Sequence, residues 1–154
     1  MGTRSTIALE FADGTVQQVY CHWDGYLSNN GMILQEHYSD PFKLRELIDF
    51  GDISSLRPTV GAPHPFSQFD TTMSSEDFDK LYGDMTTFYG RDRKETGCAA
   101  KQFKDYADYI DNHQYEEYEY ILRNVNGKAV WFVKCHSADY VTLAEAFVAE
   151  LETA

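Results

Sequence analysis

Apolar and polar residues alternate over "STIALEF", where Ile7, Leu9 and Phe11 oppose Thr6, Ala8 and Glu10. A period of two is the pattern of a half-buried strand. "ADG" at 12–14 marks a turn, and "TVQQVYCHW" resumes the alternation. The spacing places Val19, Cys21 and Trp23 on one face and Tyr20, His22 and Asp24 on the other. An N-terminal β-hairpin over about 3–24 follows. The strongest signal is "YEEYEYILRNVNGKAVWFVKC" at 115–135, two β-rich runs around an Asn-Gly pair. Asn-Gly suits a tight hairpin turn whose two central residues need positive φ.

Between the hairpins the period changes. Ile33, Leu34, His37 and Tyr38 fall at helical spacing. "SDPFKLRELIDFG" carries Asp40 as a cap, Pro41 in the first turn, an apolar stripe of Phe42, Leu44, Leu47 and Ile48, and Gly51 at the C-terminal end. Residues 52–73 hold three of the four prolines and no steady period, which predicts a long surface loop. "SSEDFDKLYGD" is a short capped helix. "TTFYGRDRKETG" is a strand running into a Gly-Arg-Asp-Arg turn. Over 98–111, Ala99, Phe103, Tyr106, Ala107 and Ile110 share one helical face, with Asp105, Asp108 and Asp111 on another. "YVTLAEAFVAEL" closes the chain as an amphipathic helix. Helices segregated from hairpins predict a single α+β domain: an antiparallel sheet built from the two hairpins, with helices packed on one face.

Length supports that reading, since 154 residues make one core. With 25 acidic against 13 basic residues the net charge is −12. Such a surface repels duplex nucleic acid and anionic membranes, so neither is an expected direct partner. Cys21, Cys98 and Cys135 are widely spaced and form no C-x-x-C pair, which argues against a disulfide framework or structural zinc. No metal-ligand, phosphate-loop or nucleophile-elbow pattern occurs, so no cofactor and no metal are expected. No leader-like apolar segment and no run of about 18 apolar residues is present. A reduced cytoplasmic protein is the expectation.

Three groups of residues can carry function. In "VYCHWDGYLSNNG", Tyr20, His22, Trp23, Asp24 and Tyr26 offer stacking surface, an imidazole and a carboxylate. The competing reading is a capped strand end, because Asp-Gly is itself a turn signal. In "FYGRDR", Tyr89, Arg91 and Arg93 form a basic spot in an acidic chain. Guanidinium forks grip phosphate or carboxylate, although Asp92 can equally neutralise them. Arg4 reaches the same end of the sheet if the hairpin register allows. Asp105, Asp108, Asp111, Glu116, Glu117 and Glu119 form an acidic run with no Lys or Arg among them, either a phosphate-mimicking partner surface or a solvated face.

The strings "TRSTIALEF", "VYCHWDGYLSNNG", "LQEHYSD", "LIDFGDISSL" and "TFYGRDR" together resemble a group of short phage and prophage proteins of unassigned function, over about residues 3–93. The resemblance implies a phage-type accessory protein working in the cytoplasm of a bacterial host cell, where such proteins counter host defence by analogy. The leading expectation is a non-enzymatic binder that sequesters a small anionic ligand such as a nucleotide signal. The alternatives are an acidic nucleic-acid mimic that inhibits a host protein, and a small nucleotide-processing enzyme with His22 as acid/base and Asp24 orienting it. Exposed tyrosines are compatible with a homodimer.

Overall fold

The computed structural model describes residues 2–136 and 138–153. The first hairpin forms as its alternation requires, with β1 (Ser5–Glu10) antiparallel to β2 (Val16–Cys21). Its turn is closed by Asp13, whose Oδ1 accepts from the Thr15 amide at 3.0 Å and the Thr15 hydroxyl at 2.7 Å. A wide turn at Leu27–Gly31 then runs into α1 (Met32–His37) and α2 (Pro41–Asp49). Asp40 caps α2 by accepting from the Phe42 amide at 3.0 Å. Gly51 takes the left-handed conformation, φ +81°, that ends the segment.

The segment 52–73 corrects the surface-loop expectation. Ile53–Ser55 form β3, and Ile53, Leu56 and Val60 are buried. Short runs interrupted by proline conceal a strand too brief for periodicity to show. Next come α3 (Ser75–Tyr82), capped by Ser74, then β4 (Thr87–Phe88) and α4 (Tyr89–Arg93). The Gly-Arg-Asp-Arg stretch is therefore a single helical turn, closed by left-handed Lys94. The expected helix over 98–111 is instead a strand, β5 (Lys101–Phe103), followed by α5 (Tyr106–Asn112). The free edge at the start of β2 captures residues 101–103 before the helical spacing can use them.

The second hairpin is β6 (Tyr118–Val125) and β7 (Lys128–Cys135), turning through Asn126 and Gly127 at φ 52° and 84°. The chain ends in β8 (Val141–Thr142) and α6 (Leu143–Thr153). The fold is α+β, built on one sheet ordered β4-β3-β2-β1-β6-β7-β8, with β5 also pairing β2.

That sheet is mixed rather than antiparallel, because the two hairpins join through a parallel β1–β6 pair with Ser5 opposite Tyr118. The connection between them is long enough to carry helices, and such a crossover lets strands return in the same direction. Ile7, Leu9, Val19, Tyr120 and Leu122 face Leu34 of α1, Leu44, Leu47 and Ile48 of α2, and Leu143 of α6. Ala8, Val16 and Ile121 face the other way, toward Tyr109 of α5 and Phe103. Helices thus cover both faces, not one. Phe42 leaves the expected stripe and is 83% exposed.

Candidate functional site

The patches around Tyr20 and Tyr89 meet across β3. Cys21 pairs with Ile53, and Ile53 pairs with Phe88, and all three are buried among the core residues. Side chains alternate along each strand. Tyr20 and His22, Asp52 and Ser54, and Thr87 and Tyr89 therefore share the face opposite α1 and α2. The strands are tied by His22 N donating to Ile53 O at 3.0 Å, Trp23 N to Ser54 O at 3.0 Å, and Tyr89 N to Asp52 O at 3.2 Å. Asp52 Oδ1 also accepts from the Tyr20 amide at 2.9 Å. A carboxylate thus stands in where a strand partner is missing. Burial raises the Asp52 carboxyl above the usual Asp range, opposed by that amide.

On this face the Tyr20 hydroxyl and His22 Nδ1 share a 2.7 Å hydrogen bond. The His22 ring meets Trp23 edge-on at 4.7 Å. Tyr20, and not Asp24, orients His22, which removes the carboxylate support expected for an acid/base role. Trp23 is not on the core face either; it lies beyond the end of β2 and is 41% exposed. Asp24 takes φ 57° and Gly25 turns the chain so close to β1 that a Cβ there would stand 2.7 Å from Ser5 Cβ. Asp24 and Tyr26 use their carbonyls to accept from Asn30 and Asn29 as the following turn forms. Burial raises the Tyr20 and Tyr89 hydroxyls above the usual tyrosine range, with Arg4 opposing at Tyr20 and Ser54 and Arg93 opposing at Tyr89. Both phenols are neutral hydrogen-bond donors at neutral pH.

The two arginines of α4 part company. Arg91 points inward, its side chain 7% exposed. All five of its N–H groups are used: Nε donates to Asp92 Oδ1 at 3.0 Å, Nη1 to the Val60 and Gly61 carbonyls, and Nη2 to the Thr86 carbonyl and Asp92 Oδ2. Its guanidinium also stacks over Phe88 and Phe50. Asp92 accepts in addition from the His64 and Phe88 amides. Arg91 is a staple that holds the 56–64 segment down, which corrects the expectation that it grips a ligand. Arg93 points outward, 51% exposed, over the rings of Phe66 at 4.4 Å and Tyr89 at 5.0 Å, with Glu95 as its ion-pair partner.

The acidic run is likewise divided. Asp105 caps α5 and Asp108 accepts from the Lys104 amide, which lowers its carboxyl. Asp111 and Glu117 are exposed, and Glu116 accepts from Gln114. Glu119 does not belong to that surface. It is 1% exposed, paired with Thr6 in the sheet register, and bound to His113 Nε2 and the Tyr140 hydroxyl. Tyr140 in turn meets the Tyr109 hydroxyl at 2.9 Å. Both nitrogens of His113 are occupied, Nδ1 facing the Tyr109 carbonyl at 2.7 Å, so this buried network presents no free base.

Sequence reasoning missed Asp52, Ser54 and Phe66, which join the face only because the proline-rich segment contains a strand. It missed the His113 network as well, since a lone His in "DNHQY" carries no pattern. Among the described residues, no group of three or more His, Cys, Asp or Glu side chains is placed to hold a metal ion. Comparison with protein-family models, with curated proteins and with solved structures finds no match for this chain.

Proposed function

We propose that the protein is a non-enzymatic binding module, a phage-type accessory protein of the bacterial cytoplasm, that holds a small planar anion such as a nucleotide signal. The ring of the ligand stacks on the face made by Tyr20, His22, Tyr89 and Phe66, and Arg93 takes the phosphate by exchanging Glu95 for it. The observation that carries this reading is the convergence across β3 of two aromatic patches distant in sequence, flanked by Arg93 and Arg4. Ring stacking tolerates many bases, and a guanidinium already lying over two rings loses little freedom on meeting a phosphate. The net charge of −12 disfavours a nucleic-acid polymer while leaving a mononucleotide affordable. The nucleic-acid-mimic alternative is weakened by the burial of Glu119 and the capping duty of Asp105.

Calorimetry of the folded protein against a panel of mononucleotides and cyclic dinucleotides tests the proposal. Arg93→Ala is expected to lower affinity at least tenfold, about 1.4 kcal/mol, while changing stability by less than about 0.5 kcal/mol as an exposed site does. Absence of heat across the panel, or binding indifferent to Arg93 and Tyr89, overturns it. Turnover of a bound nucleotide that His22→Ala abolishes would move the protein to the enzyme class.

A further inference from the structure

At the other end of β1, on the face that carries α2, a cavity of about 340 Å³ opens between the first turn of α2 and the β6–β7 hairpin. That volume lies within the range of small-molecule sites, about 300–1,000 Å³. Phe11, Pro41, Phe42 and Leu122 make its apolar walls, and Glu10, Arg45, Arg123 and Asn124 also line it. Phe42 supplies a wall while remaining 83% exposed. Nothing in the capping of α2 calls for an aromatic ring at that position, where Asp40 meets the Phe42 backbone amide alone.

Two arginines line the cavity, but the Arg123 guanidinium turns to the α5 face. Arg123 is engaged, donating to Glu10 Oε2 at 3.1 Å and lying over the Tyr106 ring. Arg45 is different. Among the described residues it has no carboxylate partner, and its guanidinium lies 5.7 Å from the Phe11 ring centroid, itself a cavity wall. In a chain with 25 acids for 13 bases, an arginine left without an acid beside an apolar cavity is a charge waiting for a complement.

We infer that this cavity binds a small amphipathic monoanion, an aromatic ring or short acyl chain bearing one carboxylate. The apolar body fills the space between Phe42, Phe11 and Leu122, and the carboxylate pairs with Arg45 in the two-pronged geometry that guanidinium favours. The site stands apart from the aromatic face of Tyr20 and Tyr89. It lies on the opposite side of the sheet, toward the far end of β1, a strand about 17 Å long. Its ligand is recognised by burial plus one ion pair, not by stacking.

Octanoate and its neutral analogue octanamide are the probes, titrated by calorimetry into the wild-type protein, Arg45→Gln and Phe42→Ala. Both side chains are exposed, so neither variant threatens the fold. Octanoate is expected to bind at least tenfold more tightly than octanamide. Arg45→Gln should erase that difference, and Phe42→Ala should weaken both ligands. Arg93→Ala should leave octanoate binding unchanged, so failure here and failure of the nucleotide proposal are distinguishable. Equal affinity for the two probes, indifference to Arg45, or no binding of octanoate overturns the inference.

Discussion

The Arg91–Asp92 pair and the His113–Glu119 pair are both buried, yet they are stabilised in different ways. Arg91 carries a permanent charge, and all five of its donors and both oxygens of Asp92 are matched. His113 has a partner at each ring nitrogen, the Tyr109 carbonyl at Nδ1 and the Glu119 carboxyl at Nε2. Taking charges out of water is costly unless every polar group finds a partner. The first pair meets that condition by backbone carbonyls drawn from a loop, which is why it orders the loop. The second meets it through the Tyr109 carbonyl of its own helix and the Tyr140 hydroxyl from beyond β7, and so ties α5 to the sheet. The lesson is that a charged residue's role follows from how many of its hydrogen bonds the backbone has already filled.

Breaking the first pair has the largest expected effect. Arg91→Ala leaves Asp92 buried without its counter-charge and should cost about 3–5 kcal/mol in chemical denaturation. A cost under 1 kcal/mol would show that the 56–64 segment holds without its staple. Glu119→Gln is milder, because an amide still offers hydrogen-bonding groups to His113 and Tyr140 while the carboxylate is lost. About 1–3 kcal/mol is expected, the penalty of one imperfectly met buried donor. An unchanged midpoint would mean that the carboxylate contributes nothing beyond what the amide supplies.

The neighbourhood of Glu119 also contains a flaw. Thr6 is fully buried, and among the described residues its hydroxyl has no hydrogen-bond partner. Thr6→Val should therefore stabilise the protein by about 1 kcal/mol, and a loss instead would reveal a bond formed by that hydroxyl in solution. The smallest effect appears only in alkali. Burial raises the Tyr109 and Tyr140 hydroxyls above their ordinary value of 10.0, and at Tyr140 the neighbouring Tyr109 and Glu119 add to the rise. Below pH 10 both phenols are neutral in folded and unfolded chains, so their contribution is whole. Above it the unfolded chain ionises while the folded one resists, and stability falls. Urea midpoints measured from pH 9 to 11 should fall less steeply in Tyr140→Phe than in wild type.

Local chemistry was legible in the sequence wherever one residue decides the backbone. Asp40 with Pro41 and Gly51 bounded α2, Ser74 capped α3, and Asn126-Gly127 turned the second hairpin. The amphipathic alternation of β1 and β2 predicted their buried faces through Cys21, and failed at Trp23 because the strand had already ended. What stayed hidden was decided at a distance. Residues 101–103 follow helical spacing until the edge of β2 claims them, and no local pattern tells Arg91, turned inward to carbonyls 30 residues back, from Arg93. For the candidate site, Tyr20, His22, Tyr89 and Arg93 were legible as chemistry, but their meeting depends on β3, a strand of three residues.

The parallel pairing of β1 with β6 also sets a timetable. Contacts such as Glu10–Arg123 span 113 positions, so the centre of the sheet is assembled from chain ends made far apart in time. At synthesis rates of about 5–20 residues per second, the first hairpin waits roughly 6–23 s with one edge bare before its neighbour emerges. Loop closure over such a span is entropically slow. Birth on the ribosome, more than the finished molecule, is when this protein is most exposed to wrong partners.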